Sequence, residues 1–413
     1  MDTDRFYALC DQVRSRMLRE TGNLLKDSGT ETSSEMIRDR IRMILRDLGQ
    51  YSEDNAEKVY DELAGDSVLA PYIRDEEIDE ININRWDDIV LTYNSGAIVR
   101  AEETFRSPSH ALDICRRMLR HAGRVLDNAM PVCQGHLQGH MRLTVIKEPV
   151  IDPSWGVSAS LRRLRPSTLG RDELIRSGML TNEMMDFLES AIRYGLSLVI
   201  AGRTSSGKTT LLNCLGASFP DDKRIYTIES GARELELSRY DSTGRVCNNV
   251  VHTLSRPSDN PSLDVSQEML VTTALRFDPD LIIIGEIRDA EAHGSVEASL
   301  TGHTVLTTVH SGPGEAAHTR MSLLCQRRFN LGMDVSMHQT RQAFPIVCFM
   351  HRGEDGVRRV TDITECTLDP SGHAEYRTLY VYDPDRGFLK KNDISQAHLH
   401  WMHLCGYREG GTK

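Results

Sequence analysis

Apolar residues recur at helical spacing early in the chain. Met36, Ile37, Ile41, Ile44, Leu45 and Leu48 form a stripe that one helix face would carry, and Gly49 is placed to stop it. A second helix is predicted over residues 52–63. Amphipathic pieces of this kind usually serve a core or a subunit contact and carry no chemistry of their own. From about residue 66 the texture changes to short strands and turns. Residues 89–93, the turn Asn94-Ser95-Gly96 and residues 97–100 read as a hairpin, followed by a helix over 109–122. Pro149, Pro153 and Gly156 mark an irregular stretch. Pro166-Ser167-Thr168-Leu169-Gly170 is a turn-rich boundary into a helical region that ends near Gly195.

After Gly195 the rhythm becomes strand, polar loop, helix, repeated. Four apolar strands are predicted, at 196–201, 224–228, 281–285 and 304–309. That alternation predicts an α/β domain with a mainly parallel sheet and helices on both faces. The expected organisation is a helical leader (1–66), a smaller α+β N-terminal domain (67–166) and the α/β domain with a C-terminal tail (167–413). No internal repeat or low-complexity tract is present.

Each of the four strands delivers a polar group at its carboxyl end, where open α/β sheets bind their ligands. The first opens into Gly202-Arg203-Thr204-Ser205-Ser206-Gly207-Lys208-Thr209, followed by Thr210; the others run into Glu229, Glu286 and His310. The first run fits G-x-x-x-x-G-K-[ST], the loop that cradles phosphates. Its glycines let the backbone curl so that successive N–H groups face the anion, and the next helix presents its positive end. Lys208 would meet the β- and γ-phosphates of ATP, and the Thr209 hydroxyl would reach Mg²⁺. An apolar strand before the loop, and Leu211, Leu212 and Leu215 after it, supply the context this motif needs. Asp278-Pro279-Asp280 followed by four apolar residues, Gly285 and Glu286 reads as a buried strand ending in a carboxylate, suited to Mg²⁺ and an attacking water. Glu229 is a candidate general base; taken alone, a surface salt bridge is an equal reading. His310 is a candidate phosphate sensor that depends on its company, whereas His303 reads as packing.

The totals narrow the field a little. With 413 residues and 39% hydrophobic composition the chain can bury more than one core. A net charge of −11 counts modestly against direct nucleic-acid binding, which needs a basic face. Nine cysteines, an odd number with no C-x-x-C, predict free thiols in a reducing compartment. The first residues are charged, without the apolar stretch of a signal peptide, and no apolar run is long enough to span a bilayer. A cytoplasmic protein is expected, reaching the inner face of the membrane only through partners. Two clusters resemble metal sites, Cys133/His136/His140 and His398/His400/His403/Cys405, but neither supplies four ligands at paired spacing.

Taken together, residues 202–210, Thr227-Ile228-Glu229, Gly285-Glu286-Ile287-Arg288-Asp289, and Thr301-Gly302-His303 through Thr308-Val309-His310-Ser311 resemble the type II/IV secretion ATPases. These are the traffic motors of secretion, conjugation and pilus systems. The four runs are similar to that family's Walker A, Asp, Walker B and His boxes, in the same order. Leu69-Ala70-Pro71-Tyr72-Ile73 and Ile78-Asp79-Glu80-Ile81 look like the entry to its N-terminal domain. Gly139-His140-Met141-Arg142 and Ser160-Leu161-Arg162-Arg163 look like the segments whose arginines approach the nucleotide. The leader and the tail from Ile363-Thr364-Glu365 onward are most similar to the CpaF-like branch, which serves tight-adherence or type IV-like pili.

The resemblance implies a RecA-like ATPase domain, nucleotide held between the two domains, a ring of six subunits, and an inner-membrane platform as partner. It carries phosphate, metal and water roles onto Lys208, Thr209, Glu229, Glu286 and His310, and charge neutralisation onto Arg142 and Arg162. Arg288 and Arg233 beside the boxes are candidates to pair with the acids instead. Ser205-Ser206 departs from the more usual Gly-Ser and costs backbone freedom; Ile83-Asn84 departs from a typical Asn-Gly. Among rivals, a GTPase would need N-K-x-D and a transporter ATPase an L-S-G-G-Q-like run, and neither occurs. A ring-shaped DNA translocase or helicase-like ATPase is the alternative, and DNA-stimulated turnover would discriminate it. A nucleotide-binding scaffold without turnover is opposed by the intact Lys208, Glu229 and Glu286.

Overall fold

The computed structural model describes residues 3–21, 31–137, 141–163, 169–231, 233–256, 262–327 and 332–408. The chain divides into two compact units, Met1–Leu164 and Arg165–Lys413. The boundary residues 166–168, with Gly139 and His140, lie outside the described residues.

The first unit has two cores. Helices α1 (Thr3–Thr21), α2 (Glu31–Asp47) and α3 (Glu53–Leu63) bury Leu9, Val13, Met17, Ile37, Ile41, Ile44, Val59 and Leu63 against one another. Gly49 has φ +64°, the left-handed residue that follows the end of α2. The Ser52 hydroxyl caps α3 by accepting the Asn55 N–H. After α4 (Ala70–Arg74) come β1 (Ile78–Arg85), β2 (Asp88–Tyr93), β3 (Ile98–Arg100), α5 (Pro108–His121), β4 (Val132–Leu137), β5 (Met141–Ile146) and β6 (Ser158–Arg163). The strands form an antiparallel sheet in the order β3-β2-β1-β6-β5-β4. Ile81, Leu91, Leu143, Val145 and Leu161 pack with Ile114, Cys115, Met118 and Leu119 of α5. Strand alternation sends Glu80, Asn82, Arg142, Thr144, Ser160 and Arg162 to the other face.

The second unit runs α6 (Arg171–Arg176), α7 (Asn182–Arg193), β7 (Leu198–Gly202), α8 (Lys208–Ala217), β8 (Arg224–Ser230), β9 (Asn249–Ser255), α9 (Gln267–Ala274), β10 (Leu281–Ile287), α10 (Glu291–Leu300), β11 (Thr304–Val309), α11 (Glu315–Cys325), α12 (Met333–Ala343), β12 (Ile346–Arg352), β13 (Arg358–Leu368), β14 (Ala374–Asp383), β15 (Gly387–Lys390) and α13 (Gln396–Leu404). Its strands order as β15-β14-β13-β12-β7-β11-β10-β8-β9. The pairs from β12 to β9 are parallel, and β13, β14 and β15 are added antiparallel. Continuous apolar strands are what a sheet covered on both faces requires. Leu198, Ile200, Ile283, Leu306 and Cys348 face Leu188, Leu211, Leu212 and Met402. Val199, Ala201, Ile282, Ile284 and Val347 face Val271, Val296, Met321 and Phe344. The molecule is thus α/β. The stretch expected from the sequence as a C-terminal tail holds the strands β13–β15, which continue the sheet.

Helix α13 is fastened by a buried acid. Glu365 of β13 is fully buried and accepts from the Ser395 N–H (3.0 Å), the Ser395 hydroxyl (2.5 Å) and His398 Nδ1 (2.6 Å). His398 therefore serves packing, and His403 likewise, its Nδ1 lying 2.8 Å from the Tyr407 carbonyl. Among the described residues no group of three or more His, Cys, Asp or Glu side chains is arranged to hold a metal ion.

Candidate functional site

The site begins where β7 ends. Its neighbours β12 and β11 lie in register on either side, with Met350 level with Gly202 and Val309 level with Ala201. That close packing is why position 202 takes glycine: a Cβ there would stand 2.5 Å from the Met350 carbonyl oxygen. Gly207 has φ +99° and forms the N-cap of α8, so the loop turns into the helix without a side chain in its path. Between them Ser205 is left-handed at φ +60°. An L-residue in this region costs roughly 1–2 kcal/mol, and glycine is the residue that adopts it freely. Arg203, Thr204 and Ser205 are exposed, Ser206 is buried, and Thr209 and Thr210 are half-buried on the first turn of α8.

Lys208 is buried, and its ammonium donates to the carbonyls of Gly202 (3.1 Å) and Arg203 (2.9 Å). Burial lowers its pKa, with Glu286 opposing. From Lys208 a chain of contacts crosses the strand ends. Nζ lies 3.4 Å from Nδ1 of His310, which directly follows β11. Nε2 of His310 stands 3.0 Å from Oε1 of Glu286, out of line for a hydrogen bond, and Oε2 of Glu286 accepts from Arg288 at 2.6 Å. Burial first, and then the Lys208 charge, push the His310 pKa down, which favours the neutral ring. Glu286 can turn toward its neighbours because β10 slips register against β11 between Ile284 and Ile287. Irregularities of this kind re-aim side chains. Thr307 and Thr308 of β11 donate to the carbonyls of Ile284 and Gly285 and hold this strand end in place.

Glu229 lies on β8, the next strand over, where Ile228 is level with Ile284. A Cβ on Gly285 would come 3.4 Å from its Cγ. Its Oε1 accepts the N–H groups of Glu234 (2.7 Å) and Leu235 (3.0 Å), and its Oε2 is buried without a hydrogen-bond partner. Burial raises the carboxyl pKa to about 7, against the two backbone donors. Arg233 turns to Glu236 and the Leu235 carbonyl, so only Arg288 of the two flanking arginines binds a motif acid.

In the first unit, Arg142 and Arg162 are directly opposed on β5 and β6, in a cross-strand row that runs His136, Arg142, Arg162, Glu80 and Thr92. Arg162 is exposed and Arg142 half-buried. Sequence reasoning missed one residue at the loop altogether. Arg358, at the start of β13, donates from Nε to the Ser205 carbonyl at 3.1 Å across 153 residues of chain. No local pattern announces it, because its partner is a backbone oxygen.

A loop of this shape between a parallel strand and a helix, its lysine inward and two acids and an imidazole beside it, defines a P-loop ATPase. The family model for "Type II/IV secretion system protein" matches residues 62–352. The chain belongs to that family. It is 29% identical over 322 residues to the type IV secretion system protein PtlH of Bordetella pertussis, covering 72% of this chain and 92% of that one. Over 290 residues it is 24% identical to VirB11 of Bartonella henselae, covering 62% and 78%. Among solved structures it is similar to the VirB11 ATPase of Brucella suis, with 21% identity, coverage of 74% and 96%, and a TM-score of 0.38.

Proposed function

We propose that this ATPase is the motor of a type II/IV secretion or type IV-like (tight-adherence) pilus machine. It would work as a homohexameric ring of RecA-like domains against a platform protein of the inner membrane. It would lie at the inner face of that membrane through this partner; among the described residues no helix is long and apolar enough to cross a bilayer. The observation that carries the reading is the contact chain from Lys208 through His310 to Glu286.

In this reading the loop amides from Thr204 to Thr210 cradle the triphosphate, and Lys208 leaves its two carbonyls for the β- and γ-phosphates. Removing Lys208 from the ring nitrogen frees His310 to report whether the γ-phosphate is present. The Thr209 hydroxyl and Glu286 fit a hard dication and would hold Mg²⁺, which neutralises phosphate charge. Glu229, with a pKa near neutrality and one unpartnered oxygen, is suited to take a proton from the attacking water. Arg142 and Arg162 would add positive charge at the phosphates. Positioning and charge stabilisation then carry the catalysis.

The test is turnover measured alone, with the candidate platform protein, and with DNA. Stimulation by the platform is expected. Stimulation by DNA alone would make the chain a translocase instead.

A further inference from the structure

Position 205 of this loop carries serine in the left-handed region, a conformation that favours glycine. A residue with a Cβ does not hold that conformation by preference, so something must hold it. The neighbouring hairpin supplies the hold. Arg358 Nε donates to the Ser205 carbonyl at 3.1 Å, and a Cβ on Gly207 would come 3.2 Å from Arg358 Cδ and 3.3 Å from Met350 Cε. The arginine stem therefore lies against the loop while its head grips one peptide. That peptide is planar and trans, so a carbonyl held toward Arg358 sends the Ser206 N–H the opposite way. The Ser206 N–H indeed turns back into the loop, onto the Arg203 carbonyl at 3.3 Å, a long bond that an anion could replace. Arg358 lies six residues past the family match, which ends at residue 352.

We propose that Arg358 is a positioning residue of the nucleotide site. By gripping the Ser205 carbonyl it keeps Ser205 left-handed and the Ser206 N–H facing the phosphates, restoring the conformation that glycine would adopt unaided. This rests on the P-loop being the nucleotide site.

The experiment is a double-mutant cycle on the full chain, with affinity read by a fluorescent ADP and turnover by phosphate release. Arg358→Ala should weaken ADP binding and raise the KM for ATP by about tenfold, the factor produced by 1.4 kcal/mol. The fall in kcat should be smaller than the rise in KM. In a Ser205→Gly background the same change should cost about twofold or less, because glycine takes the left-handed conformation freely. Unfolding midpoints accompany each variant. An equal loss of affinity in both backgrounds overturns the proposal, as does unchanged affinity in Arg358→Ala. Lys208→Ala is run alongside: if it binds ADP as tightly as the parent chain, the P-loop reading itself falls, whatever Arg358 does.

Discussion

Single residues set the chemistry here through burial. Lys208 has its ammonium parked on two loop carbonyls, so truncating it removes a charge that was already costly to bury. Lys208→Ala should lower ADP affinity by about a hundredfold, read by titration, while leaving the unfolding midpoint unchanged or higher. Glu286→Gln should keep ADP binding and lower kcat by about a hundredfold or more, seen in single-turnover hydrolysis. Glu229 gives a pH signature. With its carboxyl pKa raised to about 7, kcat/KM should climb as pH rises through 7, and Glu229→Gln should abolish that limb. Stability runs the other way. Between its unfolded pKa, near 4.3, and about 7, the native state holds a proton that the unfolded chain releases, so the parent chain loses stability as pH rises through that window. Relative to Glu229→Gln, the loss should approach about 3 kcal/mol by neutral pH in urea titrations without nucleotide.

At the level of elements, legibility followed locality. The strands that carry the motifs were readable because a buried parallel strand is a short apolar run and the loop after it is a contiguous string. Strands β4, β5 and β6 were not, since one face is polar and Gly135, Arg142 and Arg162 interrupt the pattern. Strand β14, with Tyr376, Thr378, Tyr380 and Tyr382 on alternate positions, has a plain strand rhythm, yet nothing in it says that it joins the nucleotide sheet. The contacts from His310 to Glu286 and from Arg358 to Ser205 are set by strand order, which the alternation does not encode. The Glu365 cap on α13 is also of this kind. Glu365→Ala removes the acceptor for three donors at once and should cost about 2–4 kcal/mol, with a lower urea midpoint and α13 amides exchanging first.

For the whole molecule, two units with separate cores lead to a calorimetric expectation. Heating should give two unfolding transitions, not one. ADP at about a hundred times its Kd should stabilise the larger unit by about 2.7 kcal/mol and shift its transition upward. A single transition would mean that the units unfold as one. The family match spans parts of both units, from residue 62 to residue 352, and leaves α1, α2, all but the last two residues of α3, and the strands β13 to β15 outside it.

The strand that carries the loop sits between β11 and β12, and these are made long after it. A ribosome that has completed Lys208 must still reach residue 304 before β7 gains one neighbour and residue 346 before it gains the other. Throughout that interval the growing polypeptide has a finished phosphate loop whose strand lacks both of its sheet neighbours. Late-closing parallel pairings of this sort are slow and expose apolar edges. Newly made copies should therefore depend on chaperones until the second half has emerged.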